Sequence, residues 1–318
     1  MKRIKLMIVV PFTILFAVTG SIAGAPAGAQ GAADVSPPGE LLVVTTNVQE
    51  AWQRADMRSQ SELNNYVDRL IAQAPYVPDV VLLQEVRRKS AAYIRDRLTR
   101  ETGDTYGWGV RPPRRPWSQD PQKRTETDSG ILINTETVTK KDGGGYIPLS
   151  YERRHALDRI ERVEITRHAR VAVEERAGGA VLAAASVHMQ YGHLKDRYVD
   201  RYQTLWTDKL ARVMANRYPN AVRTIGGDFN MDRCAERSGA RSCRKAIFWN
   251  NLTSDPWSYD DVLFEVFLAG KEGVGLGGVD FIFSTGAPID AGSDTSYNKN
   301  DPSQFYSDHR FFWGVVGS

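Results

Sequence analysis

The chain has 318 residues, 42% of them hydrophobic and 25% charged, with a formal net charge of +3. These proportions exclude a disordered or low-complexity polypeptide and suffice for one large core or two modest ones. So small a net charge excludes whole-molecule capture of nucleic acid or anionic lipid, and any such attraction has to come from local patches.

The N-terminus reads as an address. Lys2, Arg3 and Lys5 precede an apolar run over residues 6–18, and small residues lead on to Ala27-Gly28-Ala29. That is the pattern of a cleaved secretory signal peptide over residues 1–29. A membrane anchor is the alternative, but the run is shorter than the ~20 residues that span a bilayer. Cleavage would remove three basic side chains and no acidic ones, taking the formal charge to zero. In an exported chain Cys234 and Cys243 are most simply a disulfide, closing a short loop worth about 2–3 kcal/mol in the chain-entropy model. Two thiols without a neighbouring histidine make a poor zinc site.

Residues 30–40 are expected to be a flexible leader. The run 41–46 is a buried strand ending at Asn47, and a helix follows over 59–74, with Leu63, Tyr66, Val67, Leu70 and Ile71 on one stripe and Pro75 and Pro78 behind it. A second strand at 79–83 ends in Gln84-Glu85, and a second helix over 90–100 carries Ala91, Ile94 and Leu98 on one side. Strands are predicted at 106–110, 130–134, 137–140, 160–166, 169–174 and 181–188, with a proline-stiffened basic loop from Arg111 to Trp117 that contains Arg114 and Arg115. The longest helical pattern, 194–218, presents Tyr198, Tyr202, Leu205, Trp206, Leu210, Val213 and Met214 at three- and four-residue steps, and Trp206 reads as core. A strand over 223–227 delivers Asp228 and Asn230, and later strands are predicted at 259–266, 279–283 and 311–316. Two mixed sheets packed face to face with helices outside would bury these elements, a four-layer α/β sandwich of the α+β class forming a single domain over 41–318.

Asp228 and Asn230, two apart on an extended chain, would share a face. Gly, Asp, Phe and Asn in that order also suit a tight turn. Further polar residues stand where other apolar runs end: Asn47, Glu85, His188, Asp280, Asp308 and His309. Each alone has a structural reading. Together they match the needs of phosphodiester hydrolysis, in which carboxylates and amides hold a hard divalent cation, one imidazole takes a proton from water and another gives one to the leaving oxygen. The donor types suit Mg2+, or Mn2+ or Ca2+, better than zinc.

Thr45-Thr46-Asn47-Val48-Gln49, Leu83-Gln84-Glu85, Ser186-Val187-His188, Gly227-Asp228-Phe229-Asn230, Gly278-Val279-Asp280-Phe281-Ile282 and Ser307-Asp308-His309 occur in the order seen in the endonuclease/exonuclease/phosphatase superfamily, which the chain resembles from residue 41 to 316. The resemblance implies that Glu85 is the principal metal ligand with Asn47 beside it. By the same likeness Asp308 is a further metal- or phosphate-side carboxylate, and Asp280 with His309 activates water. His188 would be the general acid, and Asp228 with Asn230 would orient nucleophile and phosphate. Secreted deoxyribonucleases support the general-acid histidine with a second carboxylate, for which Asp128 or Glu126 is the candidate. His155, His168 and His193 match no motif and read as surface or structural.

The superfamily's chemistry is shared among several substrates. The basic loop, with Arg111, Arg114 and Arg115, suits phosphate contacts. Asn47-Val48-Gln49 and a cysteine soon after Asn230 resemble secreted deoxyribonucleases, and the first of these with the basic loop also resembles the catalytic subunit of cytolethal distending toxins. A secreted, monomeric nuclease without an obligate protein partner is the leading expectation. A sphingomyelinase-like phosphodiesterase is the alternative, with Trp257, Tyr259, Phe305 and Tyr306 as candidate membrane-facing aromatics. Another phosphoesterase, or a non-catalytic binding module, completes the alternatives.

Overall fold

The computed structural model describes residues 34–49, 58–113, 128–154, 160–189, 196–230, 247–271, 278–295, 297–301 and 303–317. The signal-peptide region, Arg114, Arg115, Glu126, His155, His193, Cys234 and Cys243 lie outside these residues. In chain order the elements are β1 (Glu40–Asn47), α1 (Gln60–Gln73), β2 (Val80–Val86), α2 (Arg88–Thr102), β3 (Tyr106–Val110), β4 (Asp128–Asn134), β5 (Val138–Lys140), β6 (Gly145–Arg154), β7 (Ile160–Glu175), β8 (Val181–His188), α3 (Asp196–Arg217), β9 (Val222–Asp228), α4 (Ile247–Thr253), β10 (Asp260–Asp261), α5 (Val262–Leu268), β11 (Asp280–Ser284), β12 (Pro288–Ser293) and β13 (Phe312–Gly317).

Two mixed sheets result. One runs β12-β13-β1-β2-β4-β3 and the other β10-β11-β9-β8-β7-β5, with β6 pairing to β7. Each has a parallel pair at its heart, β1 with β2 and β8 with β9, flanked by antiparallel neighbours. Strands buried on both faces read as continuous apolar runs, which is why 41–46 and 79–83 stand out in the sequence. Val43, Val80 and Leu82 of one sheet meet Val171, Leu182, Ala184 and Ile282 of the other in the central core. Leu42, Val44, Val81 and Leu83 point the opposite way, under α1 and α2. On the second sheet Ala183, Ala185 and Ile225 pack beneath Trp206, Leu210, Met214, Phe248 and Trp249 of α3 and α4. The four layers are those expected.

Local chemistry sets the helix ends. The Ser59 side chain accepts from the Glu62 amide at 3.3 Å to start α1, and Ala74 turns extended ahead of Pro75 to stop it. Gly103, at φ 82°, closes α2.

The structure departs from expectation in four places. Residues 259–266 form no long strand: after the short β10, Asp261 caps a helix by accepting from the Phe264 amide at 3.3 Å. The run Val262, Leu263, Val266 suits a helical stripe as well as a strand, and the slot at the sandwich edge decides. Residues 160–166 and 169–174 are one strand, β7, extended by pairing with β6, which Pro148 had disguised and which an edge strand tolerates. The α4 helix and the β12 edge strand carry too little periodicity to announce themselves. The described part of the leader is tied down. The Asp34 carbonyl accepts from the Val77 amide, Ser36 Oγ donates to Asp79 Oδ2 at 2.9 Å, and the Gly39 amide donates to both Glu175 carboxylate oxygens at 3.0 Å.

Candidate active site

Both parallel pairs end at one edge of the sandwich, and the polar residues collect there. His188 sits opposite Asp228 in the β8/β9 ladder, and Asp280 sits opposite Asp228 in the β9/β11 ladder. Three adjacent strands of one sheet thus end in His188, Asp228 and Asp280. From the other sheet, Asn47 closes β1 and Glu85 lies near the end of β2. The sheets are buttoned together just below: Gln84 Nε2 donates to Ser186 Oγ at 2.8 Å, and Ser186 Oγ donates to the Leu83 carbonyl at 2.9 Å.

Contacts across the edge are direct. Asn47 Nδ2 donates to Glu85 Oε1 at 3.1 Å and to Asp228 Oδ2 at 2.9 Å. His188 Nε2 lies 3.2 Å from Glu85 Oε1 and 3.7 Å from Asp228 Oδ2. His309 Nε2 reaches the same Asp228 oxygen at 3.7 Å, while its Nδ1 is 2.7 Å from Asp280 Oδ2. The Asp228 carboxylate is therefore shared by two imidazoles and an amide, at 1% exposure.

Burial and the neighbouring Asp280 push the Asp228 carboxyl up to about 6, against the pull of both histidines and Asn47. Burial works to keep the His188 imidazole neutral, but its hydrogen bond to Glu85 and the charges of Glu85 and Asp228 prevail and raise it to about 9. Burial opposes charging of His309 too, yet Asp280 above all, with Asp228 and Asp308, raises it to about 10. Such buried acids with opposing partners mark functional sites more often than structural ones.

Backbone strain converges on the same place. Four described non-glycine residues have positive φ, and three of them, Gln49 at 57°, Glu85 at 46° and Asn230 at 51°, ring this site. Glu85 occupies an irregularity in the β2/β4 pairing, between Leu83 and Val86, that re-aims its carboxylate. Asn230 leaves the strand. Its amide donates to Asp228 Oδ1 at 2.6 Å and its Nδ2 to the Met189 carbonyl at 2.6 Å. It reaches the site through an Asx turn, not by sharing a strand face with Asp228, so the turn reading and the site reading describe one structure.

Other expected residues fall differently. The Asn47 carboxamide has its nitrogen on the two carboxylates and its oxygen on the Gln49 amide at 2.8 Å, so that it braces the acids. Asp308 stands at the rim, its side chain 47% exposed and Oδ1 3.7 Å from His309 Nε2. Arg111 is exposed at the end of β3, on the site's side of the sheet, with its guanidinium 5.3 Å from the Trp108 ring centroid. The backbone of Asp128 opposes Val86 at this edge, its side chain being outside what is described. His168, which matched no motif, is fully buried beneath His188. The β7/β8 ladder stops at Ala169 and Ser186, and His168 Nδ1 takes over as acceptor for the His188 amide at 3.3 Å. Nothing in the local sequence marks it out.

Among the described residues two donor groups could hold a cation: Glu85, His188 and Asp228, and Asp228, Asp280 and His309, each with ligand atoms within 4.8 Å of one another. The chemistry fits a hard divalent ion. Carboxylates are crowded at low exposure, and Asp280 Oδ1 is buried without a hydrogen-bond partner.

No curated protein matches the chain in sequence. Solved structures share its fold. An endonuclease/exonuclease/phosphatase protein from Bacteroides vulgatus superposes with TM-score 0.57 at 13% identity, over 87% of this chain and 98% of that one. The human Nocturnin catalytic domain gives 0.56 at 14%, over 89% and 97%. D. rerio TDP2 complexed with single strand DNA product gives 0.55 at 16%, over 88% and 99%. The family model described as Endonuclease/Exonuclease/phosphatase matches residues 44–309, from the middle of β1 to His309 itself. With every motif residue of that span drawn to one edge of the paired sheets, the chain belongs to the endonuclease/exonuclease/phosphatase family.

Proposed function

We propose that this protein is an exported, divalent-metal-dependent phosphodiesterase that hydrolyses nucleic acid, DNA before RNA. The observation that carries the reading is the single buried oxygen of Asp228, approached at 3.7 Å by the Nε2 atoms of both His188 and His309, each held by its own carboxylate. Paired imidazoles around one acid suit in-line displacement at phosphorus, with one taking a proton and the other giving one. Glu85 and Asp228 would hold the cation, which when bound supplies positive charge to offset the acids and face the phosphoryl oxygens.

The chain's own groups do the rest. Asp280 fixes the His309 ring through Nδ1; with a cation offsetting the acids that otherwise hold this imidazole protonated, its Nε2 would take a proton from water as the water oxygen bonds to phosphorus. His188, its Nε2 3.2 Å from Glu85, would give a proton to the leaving oxygen as the P–O bond breaks. Asn47 and Asn230 hold the Asp228 carboxylate still by donating to its two oxygens. Nucleic acid is favoured because Arg111 stands just past the end of β3 at the site's edge of the first sheet, and Arg114 and Arg115 follow it in sequence. A relative with this fold was solved with single strand DNA product. Of the aromatics suited to a lipid surface, Tyr259 and Tyr306 are 1% and 3% exposed, while Trp257 and Phe305 are half-buried, Trp257 Nε1 donating to Asp208 and the Phe305 ring packing against the Arg58 guanidinium. The basic-then-apolar N-terminus supports export.

The test is to incubate purified protein with Mg2+ and, in parallel, plasmid DNA, RNA, sphingomyelin vesicles and a generic phosphomonoester. Plasmid should be cut with Mg2+, spared with EDTA, and spared by a folded Glu85→Gln variant. Turnover of sphingomyelin or the monoester alone would reassign the substrate, and no turnover of any would refute the hydrolase reading.

A further inference from the structure

Three of the stretches that carry site residues meet at one place: the exit of β1 with Asn47, the end of β2 leading through Glu85 into α2, and the turn before β13 with Asp308 and His309. Arg58, which belongs to no motif, touches all three. It is 1% exposed. Its Nη1 donates to the carbonyls of Val48 at 2.7 Å and Gln49 at 3.0 Å, just past Asn47. Its backbone amide donates to Ser90 Oγ in the first turn of α2 at 3.1 Å. Its guanidinium carbon lies 5.1 Å from the ring centroid of Phe305, just before the Ser307–His309 turn. Glu62, one turn into α1, balances the charge with Oε2 3.2 Å from Nε.

A buried guanidinium is costly unless its donors are used, and this one directs Nη1 at two backbone carbonyls and Nε toward Glu62. Nη1 serves both carbonyls while Nε faces Glu62, so the planar guanidinium holds two separate partners from two nitrogens at once, which the single nitrogen of an ammonium cannot reproduce in the same geometry.

Gln49 relays the hold. Its left-handed backbone turns its amide onto Asn47 Oδ1 at 2.8 Å, and its Oε1 accepts from the Asp308 amide at 3.1 Å. Asn47 in turn braces Glu85 and Asp228, and Asp308 leads directly into His309. Ser307 adds a second tie, donating to the Asn47 carbonyl at 2.6 Å and accepting from the His309 amide at 3.2 Å.

We infer that Arg58 is a positioning residue which, through Gln49, clamps the exit of β1 to the Asp308–His309 turn and so sets Asn47 and His309 against each other. The kinetic consequence rests on the hydrolase reading above, whereas the clamp itself is a matter of hydrogen bonds.

The experiment is residue-resolved hydrogen exchange, with steady-state kinetics on plasmid DNA and Mg2+, for Arg58→Met, Arg58→Lys, Gln49→Leu and Gln49→Glu. In Arg58→Met and Gln49→Leu the Asp308 amide should exchange at least ~10-fold faster while amides of β8, β9 and central α1 keep parental rates. Over the same variants kcat should fall about 10- to 100-fold with KM within about 3-fold, the signature of misplaced but intact groups. Gln49→Glu keeps an acceptor for the Asp308 amide and should keep its protection. The Arg58→Met/Gln49→Leu double variant should be no worse than the more severe single, because both cut one linkage. If Arg58→Met does not fold, Arg58→Lys and Gln49→Leu carry the same comparison. Parental exchange at Asp308 in a folded Arg58 variant, uniform acceleration over all elements, or additive effects would each overturn the clamp. A chain inactive on every phosphoester would sink the hydrolase reading and still leave the exchange data to judge the clamp.

Discussion

Gly226 and Gly227 are adjacent in sequence, and the structure assigns them very different tolerance for a single methyl group. A Cβ on Gly227 would lie 1.9 Å from the Val187 carbonyl oxygen and 2.8 Å and 2.9 Å from the Val187 carbonyl carbon and amide nitrogen, all backbone of the neighbouring strand. Its φ of 150° adds conformational strain for any other residue. Relief to even 3.0 Å requires β8 and β9 to part by about 1 Å, which breaks ladder hydrogen bonds worth about 1 kcal/mol each and adds backbone strain of about 1–2 kcal/mol. Gly227→Ala should therefore cost about 3–6 kcal/mol, a large part of the ~5–15 kcal/mol that holds a typical domain together. At Gly226 the nearest obstacle is Leu82 Cδ1 at 2.7 Å, the end of a side chain, with the next atoms at 3.6 Å. Gly226→Ala should cost about 1–2 kcal/mol. Urea unfolding followed by circular dichroism, compared at matched m-values, measures both. Because His188 and Asp228 face each other one residue beyond Gly227, any folded Gly227→Ala protein should also lose hydrolysis of plasmid DNA out of proportion to its stability. A Gly227→Ala protein within about 1 kcal/mol of the parent, or more stable than Gly226→Ala, would refute the steric argument.

Further predictions follow from the same contacts. Removing the ring in His309→Ala should lower the plasmid-cleavage rate by about 10²–10⁴-fold with the circular dichroism spectrum unchanged, and a rate within threefold of the parent would remove His309 from the proton-transfer role. Burial first, and His188 second, depress the His168 imidazole to about 3. The unfolded chain therefore binds a proton near 6.5 that the native one refuses, and stability should fall as pH drops from 6.5 toward 3, by at most about 1.4 kcal/mol per pH unit. His168→Asn should flatten that limb in urea midpoints taken at stepped pH, and an unchanged slope would contradict it. Asp294 accepts two bonds from Arg69, at 2.6 Å each, and one each from Gln73 and Tyr306. Burial would raise its carboxyl, but these partners hold it below the usual range, so its contribution is present above about pH 4 and is lost as pH falls through its lowered value. Asp294→Asn should cost about 2–4 kcal/mol at pH 7, and a loss below 0.5 kcal/mol in urea titration would argue that the pair is idle.

The chain's own pattern was sufficient for several features. Apolar runs at 41–46 and 79–83 announced strands buried on both faces, and the stripe Leu63, Tyr66, Val67, Leu70 announced α1. Polar residues next to predicted strands are brought by the fold to the common edge: Asn47, Glu85, His188, Asp228, Asp280 and His309. Local signals of this kind survive because a strand buried on both faces has no freedom to be anything but apolar.

What folding alone decided is how those side chains are used. Asn47 braces two acids, Asn230 arrives through a turn, and residues 262–268 coil into a helix whose Val262, Leu263 and Val266 pack into the central core. Arg58 and His168 carry no local mark at all. Their importance comes from partners at residues 48, 49, 90 and 305, and at residue 188, and contacts between distant segments leave no periodicity in the chain to be read.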